Sequence, residues 1–453
     1  MPPYIAASIV GLFIVSVFII DSKRKPNVSY SHWIPFVWFL IVSSRPVAQW
    51  FYSASDAVSD ASEVGSSPID ATVLTILIIL GLFILSKRWG KCSQVLTNNI
   101  WLILLVLYCF ISISWSDYPS VSFKRWVRGL GTLIMVLVVM TEVCPFETVR
   151  TMIRRSAFLT VSLSILVIRY FREIGVYYES WGARGFAGVT TGKNPLGRLC
   201  MILGTYFAWE IFTNWKNKNH KSITLYRSEL FVNITFVIMI LWLLRKADSA
   251  TSLGCLIIGI GVLLLLSYSS IRKNITFITV ALVLVVIIIL LLDLDSDFLG
   301  IFTKSMDRDL TLTGRTEIWK LCLKFVENPL IGVGYDSFWL GERLDLFWGK
   351  VEGHPVQAHN GYIDVYIQIG IIGLFAIAAV MISIYNRIRK TLVNDFELGS
   401  IQCIVFIQYL IYNIPEDAFK LHSLYWFSFL LIELIVRNGV QPEVLENQQV
   451  NVI

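Results

Sequence analysis

The sequence predicts an all-α polytopic membrane protein of about 12–13 transmembrane helices with one long external loop, the helix count following from about 20 apolar residues per span. Three observations carry this. Of 453 residues, 55% are hydrophobic and only 15% charged, with a mean hydropathy of +0.66. A soluble chain carries roughly 25% charged residues, so this one lacks the polar surface to cover itself in water. The apolar residues fall in long runs without the apolar–polar alternation of a barrel strand.

The runs lie near residues 4–20, 33–50, 69–86, 100–114, 127–144, 157–169, 194–213, 229–244, 250–268, 275–292, 359–385, 400–413 and 423–437. The first lacks a basic leader and a small-residue cleavage site, so it reads as a retained span. Loops alternate in charge. Lys23, Arg24 and Lys25 follow the first run, whereas residues 52–68 hold Ser and Asp but no Lys or Arg. Basic sets recur at Lys87, Arg88 and Lys91, at Arg150, Arg154 and Arg155, at Lys216, Lys218, Lys221 and Arg227, at Arg272 and Lys273, and at Arg387, Arg389 and Lys390. The positive-inside rule makes these loops cytoplasmic and the N-terminus external.

This divides the chain into helices 1–10 over residues 1–292, a long external loop with an amphipathic helix over 293–358, helices 11–13 over 359–437, and a cytoplasmic tail over 438–453. Seven scattered cysteines, with no CxxC or Cys/His spacing, read as packing residues. Asp56, Asp60 and Glu63 lack a diagnostic metal spacing. Glu210 and Glu433, near span ends, read as interfacial. Few acids lie deep in the spans, which weakens a coupled-carrier reading.

External polar residues stand out against this background. Arg184, Lys193 and Arg198 oppose the charge bias, and Asn194-Pro195 would start a helix whose N-terminal amides favour an anion; headgroup anchoring is the plainer alternative. Arg315 sits at the first turn of an expected amphipathic helix, where Thr313 or Thr316 could cap and Glu317 could pair with it. His359 stands where the long loop re-enters the bilayer and suits a base at a wet interface, or a cap. Asp364 is poorly placed to orient it along one helical face, and its role is open. Arg125, beside Lys124 and Arg128, forms another basic external set. Glu416 and Asp417 lie in an external turn, free to counter an arginine or to be solvated.

Taken together these residues resemble the O-antigen ligase and polymerase superfamily of bacterial polysaccharide assembly, and its exopolysaccharide-production branch most of all. The likeness is carried by Ser43-Ser-Arg-Pro-Val, Ser112-Ile-Ser-Trp-Ser, Arg184 before Gly192-Lys-Asn-Pro-Leu-Gly, Thr313-Gly-Arg-Thr-Glu-Ile-Trp, Asn328-Pro-Leu-Ile-Gly-Val-Gly-Tyr and His359-Asn-Gly-Tyr-Ile-Asp. Many relatives have twelve spans, one fewer than the runs above.

The resemblance implies a GT-C-like glycosyltransferase of the inner membrane, inverting and metal-independent, with no cofactor and no nucleic acid. It would polymerise undecaprenyl-pyrophosphate-linked repeat units at the periplasmic face. Carried over residue by residue, His359 would be the base and Arg315 and Arg184 would bind the departing pyrophosphate. Lys193, Arg198, Arg125 and Glu416 would bind substrate. The expected partners are the lipid-linked glycan donor, a glycan acceptor on its lipid carrier, membrane lipids and a chain-length-regulating copolymerase. Two alternatives stay open: a ligase that hands the glycan to a lipid A core or another acceptor, and a flippase or carrier for a lipid-linked saccharide.

Overall fold

A computed structural model of the chain describes residues 1–51, 67–178, 182–216, 222–276, 312–351 and 354–436. The run at 275–292 from residue 277 onward, the acids Asp56, Asp60 and Glu63, residues 293–311 and the tail from 437 lie outside them. Each of the other twelve runs is helical.

In chain order the helices are α1 (Pro3–Ser22), α2 (Trp33–Val42), α3 (Pro68–Lys87), α4 (Trp89–Thr97), α5 (Ile100–Ile111), α6 (Pro119–Met140), α7 (Pro145–Tyr170) and the short α8 (Arg172–Gly175). A small antiparallel hairpin follows, β1 (Val176–Tyr178) and β2 (Arg184–Phe186), in which Tyr178 pairs with Arg184. Then come α9 (Lys193–Lys216), α10 (Ile223–Ala247), α11 (Ala250–Leu266), α12 (Ser269–Lys273), α13 (Leu312–Lys324), α14 (Gly341–Trp348), α15 (Gly361–Asn394), α16 (Phe396–Tyr412) and α17 (Leu424–Glu433).

Among the described residues, five helices are long and apolar enough to cross a membrane: α1, α3, α7, α10 and α15. The pair α4–α5, bent by 87°, makes a sixth if it is counted as one span, and shorter apolar helices cover Tyr30–Val42, Ala250–Leu266, Phe396–Tyr412 and Leu424–Glu433. The chain is an all-α polytopic protein. Its helices sort by exposure: only 11% of the apolar window of α1 is buried, against 78% of that of α7. Ile9, Leu12 and Val15 of α1 and Ile79, Leu82 and Phe83 of α3 point outward, as lipid-facing side chains do. The centre holds α6, α7, α9, α16 and α17, where Met135, Phe158, Leu203, Tyr409 and Phe427 are fully enclosed.

Lipid tails are as apolar as leucine, so polar contacts and close packing hold such helices together. Gln408 on α16 donates to Thr205 Oγ1 on α9 (2.9 Å) and to the Cys255 carbonyl on α11 (2.8 Å). Gly259 of α11 leaves the space for that amide, which a Cβ would fill.

Charged clusters close the bundle at both ends. At one end Arg150 of α7 reaches Glu210 of α9 (2.9 Å), Glu397 of α16 (3.0 Å) and Glu147 (3.2 Å). Arg24 reaches Glu229 of α10 at 3.3 Å, while Arg154 and Arg155 both bind Asp21 of α1. The expected loop position of Arg150, Arg154 and Arg155 is therefore corrected: α7 starts at Pro145 and all three lie within it. Apart from Glu147, on α7 itself, their acids come from other helices, which makes burial tolerable. Glu210 and Glu433, expected at an interface, are enclosed instead, at 0% and 1% exposure.

The other end carries α13, α14 and the segments between them. The expected amphipathic helix is present as α13, with Ile318, Trp319 and Cys322 buried against Phe338, Trp339, Phe347 and Ile367 in a small second core. Thr313 and Thr316 fall inside α13, so neither is its cap.

The apolar run of α15 is broken. Gly370 takes φ +67°, ψ −167°, splitting the helix into 361–369 and 371–394. The Asn328–Tyr335 segment fills the break: the Ile371 amide donates to the Pro329 carbonyl (2.9 Å), and the Val333 and Gly334 amides donate to the Ile367 and Gln368 carbonyls at 3.1 and 2.8 Å. A Cβ at Gly370 would collide with the Leu330 carbonyl. Backbone polar groups freed by a break must be satisfied internally where water is scarce. The short first half of α15 is thereby anchored to the segment above it.

Candidate functional site

The site is built on the turn between α16 and α17. Asn413, the C-cap of α16, accepts from the Ala418 amide (2.9 Å) and donates to the Tyr409 carbonyl (2.8 Å), while the Tyr409 hydroxyl donates to the Ala418 carbonyl at 2.7 Å. The Gly361 amide, at the start of α15, donates to the Asn413 carbonyl (2.8 Å). These bonds leave the turn one conformation and aim Glu416 inward.

Glu416 is 3% exposed. Its Oε1 lies 3.6 Å from Arg315 Nη2 and its Oε2 lies 3.8 Å from His359 Nδ1. Arg315 also donates to the Pro415 carbonyl at 2.6 Å. Arg198, on the second turn of α9, donates to the Tyr412 hydroxyl (3.1 Å). Burial alone would push the Glu416 carboxyl up, but His359 beside it and the Arg198 and Arg315 guanidinium groups outweigh that and hold it below the usual carboxylate range. The His359 and Arg315 side chains are 26% and 27% exposed, over an acid that is 4% exposed. A buried anion thus lies beneath an imidazole and a guanidinium that a ligand can reach.

His359 itself takes φ +50°, a left-handed conformation uncommon for a residue other than glycine. Its Nδ1 lies 3.1 Å from the Gln357 amide nitrogen. Asn360 caps α15 by accepting from the Tyr362 and Ile363 amides. The imidazole therefore sits on a tight turn at the mouth of a helix.

The remaining expected residues lie elsewhere on this end. Arg184 is exposed on β2, its guanidinium 4.7 Å from the centre of the Phe186 ring. No recorded contact joins it to Glu416 or His359. Lys193 opens α9 with its amide 3.4 Å from the Tyr177 hydroxyl, one turn before Arg198. The hairpin and the loop that leads from it into α9 are held by Arg45, which donates to the carbonyls of Ile174, Gly188 and Thr190. Arg125 is bound to Asp336, at 2.6 Å to its carbonyl and 3.3 Å to its carboxylate. Arg198, Arg315, His359 and Glu416 are brought together; Arg184 and Arg125 are not brought to them.

Among the other ionisable groups at this end, Asp417 was expected to counter an arginine or to be solvated, while Lys420, His422 and Asp336 gained no role from the sequence. Lys420 Nζ lies 3.3 Å from Asp417 Oδ2, and His422 Nδ1 lies 3.9 Å from Asp336. Burial raises the Asp417 carboxyl, with Lys420 opposing. Four ionisable residues within 416–422, in an otherwise apolar stretch, were a signal that the sequence offered. Among the described residues no three His, Cys, Asp or Glu side chains gather as a metal-binding set.

Comparison with known proteins bears on this arrangement. The family described as O-antigen ligase matches residues 234–378, a stretch that includes Arg315 and His359. The exopolysaccharide production protein ExoQ of Rhizobium meliloti is 25% identical over 66% of this chain and 67% of its own length. The chain is also similar to proteins provisionally named polysaccharide ligases: one of Rickettsia typhi, 23% identical over 76% of this chain and 81% of its own, and one of Rickettsia prowazekii, 25% identical over the same shares.

Proposed function

We propose that this protein is a member of the O-antigen ligase superfamily and acts in polysaccharide biosynthesis as a glycosyltransferase, polymerising undecaprenyl-pyrophosphate-linked repeat units at the periplasmic face of the inner membrane. The observation that carries the reading is the pairing of half-exposed His359 and Arg315 over the buried Glu416 carboxylate. An acceptor hydroxyl attacks the anomeric carbon of the donor. As that bond forms, the bond from carbon to the pyrophosphate oxygen breaks and its electron pair leaves with undecaprenyl pyrophosphate. The hydroxyl proton passes to His359, and attack opposite the leaving group inverts the anomeric centre.

Each residue has a chemical task in this step. With Gln357 turned so that its amide oxygen faces Nδ1, that oxygen and the Glu416 carboxylate would favour the tautomer with Nδ1 protonated and Nε2 free to take a proton. Arg315, with Arg198 behind it, meets the charge that grows on the pyrophosphate, where fixed guanidinium groups need no reorganisation. Arg184, on β2, and Lys193, at the start of α9, are apart from this cluster and would meet the diphosphate only where the donor extends beyond it. Pyrophosphate is already a good leaving group, so the step needs no metal ion. The cap formed by α13 and α14 would cover the sugars while the lipid tail lies among the helices.

The relatives provisionally named polysaccharide ligases support a second acceptor, a lipid A core or another glycan-bearing surface molecule, with the same donor and the same base. The test is reconstitution with a short undecaprenyl-pyrophosphate oligosaccharide and no other acceptor, comparing wild type with His359→Ala on a size-resolving gel. A ladder from wild type alone, unchanged by a metal chelator, supports the polymerase. A folded wild type that yields no ladder overturns it, and product on adding a core acceptor then selects the ligase.

A further inference from the structure

The turn that carries His359 is held from below by a residue that no contact joins to the Glu416 carboxylate. Asp364, 1% exposed on the first turn of α15, accepts from the Trp339 indole through Oδ1 (2.7 Å) and from the Ala358 amide through Oδ2 (2.9 Å). The carbonyl of the same Ala358 accepts from the Trp319 indole at 2.9 Å. Trp319 lies one turn after Arg315 on α13, so both project from one face of that helix. The residue before His359 is thus pinned on both sides, by α15 at its amide and by the Arg315 helix at its carbonyl.

We propose that Asp364 is the positioning residue of the transfer reaction, setting His359 against Arg315 through Ala358 and Trp339. This rests on the reading of His359 as base. A non-glycine residue at φ +50° persists only where its surroundings over-determine it, and the doubly bound Ala358 peptide supplies that constraint. A carboxylate is suited to the task because both oxygens accept. An asparagine of the same shape has one acceptor oxygen, and its amide would face either the Trp339 or the Ala358 donor with a donor of its own. The turn would then relax, and a displacement of about 1 Å at a reacting group costs on the order of 100-fold in rate.

The experiment compares wild type with Asp364→Asn, and with Trp339→Phe and Trp319→Phe as milder variants should the first fail to fold. Three quantities are measured: glycan transfer, binding of undecaprenyl pyrophosphate, and the rate at which diethyl pyrocarbonate modifies His359, followed by peptide mass. Positioning predicts unchanged binding, kcat lower by about 100-fold for Asp364→Asn, and a severalfold change in the His359 modification rate in all folded variants. An unchanged modification rate overturns the proposal whatever happens to activity, and so does loss of binding alongside it. If wild type transfers no glycan while the modification rate still responds to Asp364, the positioning role stands and the reading of the reaction falls.

Discussion

Glu416 Oε2 stands 3.8 Å from His359 Nδ1, beyond hydrogen-bond length but close enough to pair with the imidazole when it is protonated. The same carboxylate faces Arg315 at 3.6 Å through its other oxygen. One buried charge therefore serves two groups that sit on separate elements, α13 and the turn before α15. Glu416→Gln keeps the shape and removes the charge, and it is expected to lower kcat/KM by roughly 100-fold or more, since a base that loses its carboxylate partner loses its tautomer control. Steady-state transfer by a folded variant checks this; activity within a few-fold of wild type would take Glu416 out of the mechanism.

Arg315 makes a related prediction about geometry. Its guanidinium binds the Pro415 carbonyl at 2.6 Å and Glu416 at 3.6 Å, two acceptors that a planar fork meets at once. Lysine restores the charge but presents a single compact point. Arg315→Ala should cost about 100- to 1,000-fold in kcat, and Arg315→Lys should recover only a small part of it. Full activity in the lysine variant would mean that local charge alone matters.

These residue types were visible in the sequence because arginine, histidine and glutamate on the charge-poor side of apolar helices oppose the usual bias. Their convergence was not, because it depends on pairings far apart in the chain: Arg315 with Glu416 across 101 positions, and Arg198 with Tyr412 across 214. Asp364 shows the same limit. Helical spacing from His359 gave it no role, yet its bond to the Ala358 amide lies before the helix, outside any facial pattern. Spans α1, α3 and α10 could be read from hydropathy because lipid selects their outer faces. The start of α7 could not, since Arg150, Arg154 and Arg155 are affordable in a helix only beside acids that α1, α9 and α16 supply.

That cluster at the end opposite His359 should carry much of the stability. Glu210 accepts from Arg150 (2.9 Å) and from the Tyr206 hydroxyl (2.9 Å), all within the bundle. Removing one partner of a buried pair costs about 3–5 kcal/mol, whereas replacing both by apolar groups of similar volume is often neutral. Glu210→Gln is expected to lower the unfolding temperature in detergent, and Arg150→Met with Glu210→Met should cost less than the two single changes added together. Additive losses would show that the pair does not act as a unit.

The last prediction concerns acid. His422 lies on the turn after Lys420, with Nδ1 closed off from solvent and 3.9 Å from Asp336. Burial pushes the imidazole down to about 3; Asp336 opposes this, while the Arg128 and Lys420 charges reinforce it. An unfolded chain takes up this proton near pH 6.5. Between those values the unfolded state binds more protons than the folded state, so stability rises with pH across the window and is lost as pH falls from about 6.5 toward 3. His422→Gln keeps an amide of similar reach with no proton to gain. Its unfolding temperature should therefore fall less steeply than that of wild type between pH 6.5 and 4.5. Parallel curves would show that His422 is already protonated in the folded protein and paired with Asp336.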